Sequence, residues 1–201
     1  MRRIKYGFYG EDSAHKIFLH NYLQHFGSNS MVFERDDDFC EKFQARGKKL
    51  VDTKFAYVAR EGLFKHQHDV FFIGRDIDSH QDAQFTLRRD HFAKECIDNL
   101  LLMLPVQCVE HWLWLLKYRQ GNPKSTKNVS FHMHPNKKAK LEVYGQEDPP
   151  NEISNPIVDD LSKQFDITWL ESRSESFRHF HKQVLAFLAA YSSVESELLG
   201  E

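Results

Sequence analysis

The chain has 201 residues, 41% of them hydrophobic and 28% charged, with a formal net charge of −2. This length suits one α/β domain with a single core, so we expect one domain over residues 1–201. Its core would span about 1–118, followed by a basic loop and helical extension over about 119–201. The small net charge excludes neither nucleic acid nor acidic small molecules as ligands.

Cysteine spacing and hydropathy bear on the cellular compartment. Cys40, Cys96 and Cys108 show neither C-x-x-C spacing nor an even number, which favours a reducing compartment. No apolar stretch approaches the length of a membrane span, and the N-terminus lacks the hydrophobic region of a signal peptide. We therefore expect a cytoplasmic protein with no membrane contact.

The first predicted element is a strand at Ile4–Gly10, followed at once by Glu11. Asp12-Ser13 is a good N-cap pair, and apolar residues then recur at helical spacing from Phe18 to Phe26. Glu11 therefore lies in a strand-to-helix turn. An acid there also favours the helix dipole, so it need not bind a ligand.

The next elements alternate in type. Met31–Glu34 is predicted to be a strand, Val51–His66 a helix and Val70–Ile73 a buried strand without polar alternation. This alternation predicts an α/β fold with a mostly parallel central sheet flanked by helices and a helical C-terminal part.

Two carboxylates follow the third strand, at Asp76 and Asp78. Ligands of open α/β sheets gather beyond the carboxyl ends of the strands, and hard oxygen ligands suit Mg²⁺ or Mn²⁺. The alternative is that the Asp-x-Asp only opens a turn or caps the next helix.

Downstream of Asp78, we predict a helix at Ala83–Met103, a strand at Pro105–Cys108 and a further helix from Glu110. Residues rich in Gly, Pro, Ser, Thr and Asn predict a loop at Gln120–Pro135, and Pro149-Pro150 marks a second loop at Gly145–Asn155. Ser176 is predicted to cap a C-terminal helix.

Four motifs in order resemble the Toprim fold, particularly the small stand-alone Toprim proteins related to OLD-type nucleases and RloB-like proteins. The motifs are Glu11-Asp-Ser-Ala-His15, Asp76-Ile-Asp78, Glu110-His-Trp-Leu113 and Ser174-Glu-Ser-Phe-Arg-His-Phe180. The resemblance implies a Toprim/Rossmann-like domain in which Glu11, Asp76 and Asp78 hold Mg²⁺ or Mn²⁺, with Glu110 as a further ligand. It also implies a lysine near the metals, assigned to Lys137 or Lys138.

Two residues depart from the family pattern. His15 stands where the family usually has a second glutamate, and Asp12 replaces the usual glycine. Imidazole can bind Mn²⁺ but is a poorer Mg²⁺ ligand than carboxylate. Either the metal site is retuned and includes His15, or the protein acts by binding alone.

Basic residues and histidines allow other interpretations. Lysines and arginines gather between Lys117 and Lys140, where they would neutralise nucleic-acid phosphates or simply form a solvated face. Three His-x-His pairs lie far in sequence from the cysteines, so we do not predict a zinc site.

The resulting functional hypothesis is metal-dependent cleavage of phosphodiester bonds in DNA or RNA, with water as nucleophile. The resemblance implies an ABC- or AAA-type ATPase partner in an anti-phage system, since this chain has no G-x-x-x-x-G-K-[ST] motif. A homo-oligomer is also allowed. The alternatives are a non-catalytic Toprim module that binds an ATPase or nucleic acid, and a nucleotide-processing or primase-like enzyme.

Overall fold

The computed structural model describes residues 2–27 and 31–199, with side chains as far as residue 192. Its described strands form one parallel sheet in the order β2-β1-β3-β4. The strands are β1 (Arg2–Gly10), β2 (Met31–Arg35), β3 (Val70–Gly74) and β4 (Leu100–Met103). The predicted strands at Ile4–Gly10, Met31–Glu34 and Val70–Ile73 are confirmed.

Helices flank the sheet and make up the C-terminal part, so the predicted α/β class is confirmed. They are α1 (Ser13–Gln24), α2 (Asp37–Lys42), α3 (Lys48–Arg60), α4 (Asp82–Ala93), α5 (Val109–Gly121), α6 (Asn136–Tyr144), α7 (Asn151–Lys163), α8 (Ile167–Arg173) and α9 (Glu175–Leu199). Within the described residues, no helix is both long and apolar enough to cross a membrane.

The strand order reverses between the two central strands, β1 and β3. The chain passes from β1 to β2 on one side of the sheet, and from β3 to β4 on the other. β1 and β3 are neighbours, with Gly10 paired to Gly74 at their carboxyl ends. In sheets of this kind, ligands bind in the crevice at this reversal of strand order.

The two central strands are held by aromatic packing on both faces. Every residue of β3 is buried, as its uninterrupted apolar sequence requires. Phe72 makes edge contacts with Tyr6 of β1 and Phe180 of α9, whereas Phe71 stacks beside His68 on the α3 side. Both strands are therefore covered on both faces, and their carboxyl ends are fixed in place.

The prediction of one helix over Ala83–Met103 is wrong. Helix α4 ends at Ala93. The last four residues of the predicted helix, Leu100–Met103, instead form β4 beside β3. Cys96 and Asn99 have positive φ angles of 45° and 57°, which a continuous helix cannot contain. The apolar run Leu100–Met103 gains more by pairing with the buried strand than by extending the helix.

Three local predictions need correction. Pro105–Cys108 is a non-strand connection, because Gln107 has φ of 66° and β4 already ends at Met103. The predicted loop at Gly145–Asn155 ends earlier, since Pro150 is the N-cap of α7. Ser174 rather than Ser176 caps α9, by accepting the amide of Phe177 at 3.3 Å.

The predicted helix at Val51–His66 is confirmed with shifted bounds. Helix α3 begins at Lys48 and ends at Arg60, and a π-helical turn continues it over Glu61–Lys65. The π-helical turn packs against β3 through Gly62, where there is no space for a larger side chain.

Candidate functional site

Glu11 and Asp76 lie at the carboxyl ends of β1 and β3. The amide of Glu11 donates to the carbonyl of Gly74 at 3.2 Å, so the two strand ends remain in register beyond the sheet. The Asp76 Oδ1 accepts the amide of Val109 at 3.0 Å. Val109 begins α5, and a helix N-terminus stabilises a carboxylate through its unpaired amides and its dipole.

His15 lies between two carboxyl groups, those of Asp12 and Asp76. Its Nδ1 lies 2.8 Å from Asp12 Oδ1 and its Nε2 lies 3.0 Å from Asp76 Oδ1. Asp12 also caps α1 by accepting the amide of His15 at 3.0 Å. Burial lowers the pKa of His15, but the two carboxylates outweigh it and raise this pKa well above the usual range. The Nδ1 and Nε2 contacts therefore fix the orientation of the imidazole between Asp12 and Asp76, and burial raises the pKa of Asp76 itself.

The Glu11 carboxyl is nearly buried, with its side chain 10% exposed. Burial, and then the adjacent Asp76 carboxylate, raise the pKa of Glu11 to about 8. Its Oε2 has no hydrogen-bond partner, and the nearest cation, Arg75 Nη1, lies 3.6 Å away. This carboxyl has been taken out of water without a full replacement for its hydration.

Asp78 lies in a more cationic part of the site. Its Oδ2 lies 3.1 Å from Arg75 Nη1 and 2.6 Å from Lys48 Nζ. The same Arg75 nitrogen lies 3.6 Å from Glu11 Oε2. Because both oxygens are this close to one nitrogen, Glu11 Oε2 and Asp78 Oδ2 are separated by no more than about twice 3.6 Å. Asp78 therefore lies near the other acids, but protein cations already neutralise it.

A second group of side chains extends from Asp76 into the protein. The ligand atoms of Asp76, Cys108 and Glu110 all lie within 4.8 Å of one another, and all three residues are buried. The Tyr144 hydroxyl donates to Glu110 Oε1 at 3.3 Å. Burial, followed by the Glu110 and Asp76 carboxylates, raises the pKa of the Cys108 thiol well above its usual range.

The structure brings the five acidic or imidazole residues of the predicted metal site to one edge of the sheet. These residues are Glu11, His15, Asp76, Asp78 and Glu110. The predicted lysines are placed differently, since Lys137 pairs with Glu147 at 3.0 Å and Lys138 with Glu142 at 2.8 Å.

Lys140 is the lysine of α6 that approaches the site. Burial lowers the pKa of Lys140, but the surrounding anions, Glu110 first and Cys108 next, raise it above its usual value. Lys140 is partly buried, whereas Lys137 and Lys138 are exposed. The sequence showed the basic run but not the orientation of α6, so it did not distinguish Lys140 from its neighbours.

Sequence reasoning also missed Arg75, Lys48 and Cys108. Arg75 immediately precedes Asp76 and is 3% exposed, an uncommon position for arginine that indicates compensating acids. Cys108 lies two residues before the predicted ligand Glu110, and this spacing was the sequence signal that could have placed Cys108 in the site. Lys48 comes from α3, and its approach to Asp78 follows only from the tertiary fold.

The ligand atoms of Glu11, Asp12 and His15 lie within 4.8 Å of one another, and His15 also contacts Asp76, so this group of side chains fits a divalent metal ion. The Glu11 Oε2 and His15 Nε2 atoms are both buried and lack a hydrogen-bond partner, although each lies close to another site residue. Carboxylate oxygens with one imidazole nitrogen are ligands that Mn²⁺ accepts. Buried polar atoms normally have partners, so two orphans beside one aspartate indicate a missing ligand.

Comparison of the chain with models of protein families, with curated proteins and with solved structures found no match.

Proposed function

We propose that the protein is a divalent-metal-dependent nuclease that hydrolyses phosphodiester bonds. The observation that carries the proposal is the convergence of Glu11, His15 and Asp76 at the reversal of strand order, with unpartnered buried atoms on Glu11 and His15. The motif order that resembles Toprim nucleases supports the same assignment. Mn²⁺ or Mg²⁺ would be the ion, with Mn²⁺ favoured by the imidazole.

The residues divide the work by position. Glu11, His15 and Asp76 would hold the ion, which supplies charge neutralisation for the phosphate and activation of the attacking water. The amide of Val109 fixes Asp76, and Asp12 fixes the His15 ring. Lys140 would contribute positive charge beside a bound phosphate.

Asp78 would take a different part from the one its motif suggests. Arg75 and Lys48 already form ion pairs with its carboxylate. Asp78 would therefore keep these two cations in place at the rim of the site. Asp78 would become a ligand only after its ion pair with Lys48 breaks. Both side chains are partly exposed, so water readily replaces this contact.

The resemblance also leads us to propose an ATPase partner and a role in anti-phage defence. The three free cysteines, Cys40, Cys96 and Cys108, agree with a reducing compartment such as the cytoplasm. Nucleic acid is the proposed substrate, in the form of DNA or RNA.

Cleavage of plasmid DNA and tRNA tests the proposal, with Mg²⁺ or Mn²⁺ added to metal-free protein. We expect Asp76→Asn to lower the rate at least about 100-fold, the usual loss when one electrostatic stabiliser of a transition state is removed. Asp98→Asn, a change at an exposed aspartate between α4 and β4, should leave the rate unchanged. Equal rates for both variants would reject the nuclease assignment.

A second candidate is a binding module without catalysis. The observation in its favour is that each acid already contacts a basic side chain of the protein, His15 at Asp76, Arg75 at Glu11 and Lys48 at Asp78. Such a protein would retain nucleic acid after Asp76→Asn and cleave nothing in any metal. Its affinity would then fall, with a flatter salt dependence, on Lys137→Ala and Lys138→Ala.

A further inference from the structure

One buried group offers a sulfur ligand, which the proposed function does not use. Asp76, Cys108 and Glu110 are 7%, 1% and 5% exposed, and their ligand atoms lie within 4.8 Å of one another. They come from the segment after β3, the connection that precedes α5 and the first turn of α5. Burial of three groups that carry negative charge when deprotonated is costly without a cation.

Each of the three side chains is positioned by a neighbour. The amide of Val109 donates to Asp76, and the Tyr144 hydroxyl donates to Glu110. The Cys108 sulfur lies 3.3 Å from His111 Nδ1. In metal sites, hydrogen bonds of this kind to the ligating side chains fix the orientation of those side chains and increase the affinity for the metal.

The surroundings of Asp76 also indicate a missing ligand. His15 is fully buried and Glu11 has a side chain that is 10% exposed, and both present an unpartnered polar atom beside Asp76. Two carboxyl groups and a thiol, brought together in a buried position, are side chains that a divalent ion can bind when it displaces their protons.

We infer that Asp76, Cys108 and Glu110 form a site for Zn²⁺ or a similar borderline-soft divalent ion, bound through the sulfur of Cys108. Thiolate selects such ions over Mg²⁺. Ligand atoms around tetrahedral zinc lie about 3.5 Å apart, so modest side-chain rotations close the site. The metal–sulfur bond replaces the S–H bond, and the proton passes to solvent.

This site shares Asp76 with the proposed nuclease centre but does not depend on nuclease activity. Three protein ligands leave a fourth position open, as in zinc sites that bind an exchangeable ligand. The test therefore has to report on the sulfur itself. Loss of cleavage alone would not distinguish this ion from the one held by Glu11 and His15.

Titration of metal-free protein with Co²⁺ meets this requirement, because a cobalt–thiolate bond produces charge-transfer absorption in the near ultraviolet. We expect the band to reach its maximum at one equivalent and to disappear when Zn²⁺ is added in competition. Cys108→Ser should abolish the band. Cys40→Ser should retain it, because Cys40 is also free and buried but lies outside the acidic group.

Glu110→Gln provides a second variant in case Cys108→Ser does not fold. Glutamine keeps an oxygen for the Tyr144 hydroxyl, so we expect the fold to survive and the affinity for Zn²⁺ to fall at least tenfold. Absence of the band in wild type, its persistence in Cys108→Ser, or unchanged affinity in Glu110→Gln would overturn the inference. Cleavage in Mg²⁺ or Mn²⁺, measured separately on the same samples, decides the proposed function independently.

Discussion

The pKa of Glu11 makes the stability of the metal-free protein depend on pH. Burial and the Asp76 carboxylate raise this pKa from 4.5 to about 8. The folded protein thus binds the proton more tightly than the unfolded chain does. Its contribution to stability is complete below about pH 4.5 and is lost as the pH rises through about 8.

Glu11→Gln should remove this dependence because glutamine does not titrate. In a metal chelator, we expect wild type to lose up to about 1.4 kcal/mol of unfolding free energy per pH unit across this window, relative to Glu11→Gln. Urea unfolding at a series of pH values measures the difference. Glu152→Gln, a change at an exposed glutamate of α7, serves as the control. Parallel pH curves for wild type and Glu11→Gln would contradict the burial of an uncharged Glu11.

His15 should determine which metal the site prefers. Its Nε2 is unpartnered and adjacent to Asp76, so an ion held there gains an imidazole ligand. We expect wild type to bind Mn²⁺ more tightly than Mg²⁺, and His15→Glu to reduce that preference towards unity. Calorimetric titration measures both affinities, with His25→Glu at the end of α1 as the control. An unchanged preference in His15→Glu would remove His15 from the ligand set.

At the scale of elements, the π-helical turn after α3 is a point of close packing. A Cβ added at Gly62 would lie 2.6 Å from the Phe71 ring and 2.7 Å from His68 Nδ1. We expect Gly62→Ala to destabilise the protein by about 1–3 kcal/mol, the usual range for overpacking a core. Thermal and urea unfolding test this.

Gly121 provides the matched control for this substitution. It is the last residue of α5, and nothing lies within 4 Å of a Cβ added there. Gly121→Ala should change the stability by no more than about 1 kcal/mol, in the stabilising direction. If both variants have the same stability as wild type, the close approach of the π-helical turn to β3 is wrong.

The sequence of the edge strand β4 resembles a continuation of helix α4. Leu100–Met103 continues the apolar spacing of α4, so periodicity alone does not separate the two elements. The strand is identified by its partners: β3 on one side, and Gln183 of α9 on the other. The Gln183 amide donates to the carbonyl of Leu102 and accepts its N–H, at 3.0 and 2.9 Å. That contact joins residues 81 positions apart and is not visible in local sequence.

At the scale of the whole molecule, the sequence predicted the parallel sheet and the edge at which the acids meet. Strand-forming runs that each end in a carboxylate were enough to bring Glu11 and Asp76 together, since neighbouring parallel strands end at the same edge. Charge compensation was less accessible. The approaches of Lys48 and Lys140 depend on how α3 and α6 pack, and no motif records that packing.

The molecule as a whole places Glu11, His15 and Asp76 at the crevice between β1 and β3, where the strand order reverses. His15 lies 3.0 Å from Asp76, and Arg75 lies 3.6 Å from Glu11. The central claim is that a divalent ion also binds there, held by Glu11 and Asp76. Binding would give the Glu11 Oε2 atom the partner that it lacks.

Anomalous diffraction from crystals soaked in Mn²⁺ tests this claim most directly. We expect a manganese peak within about 2.0–2.6 Å of carboxylate oxygens of both Glu11 and Asp76, the range of divalent metal–oxygen bonds. The peak should be absent from Glu11→Gln crystals soaked in the same way. Well-ordered wild-type density with no peak at Glu11, and with His15 still paired to Asp76, would contradict it.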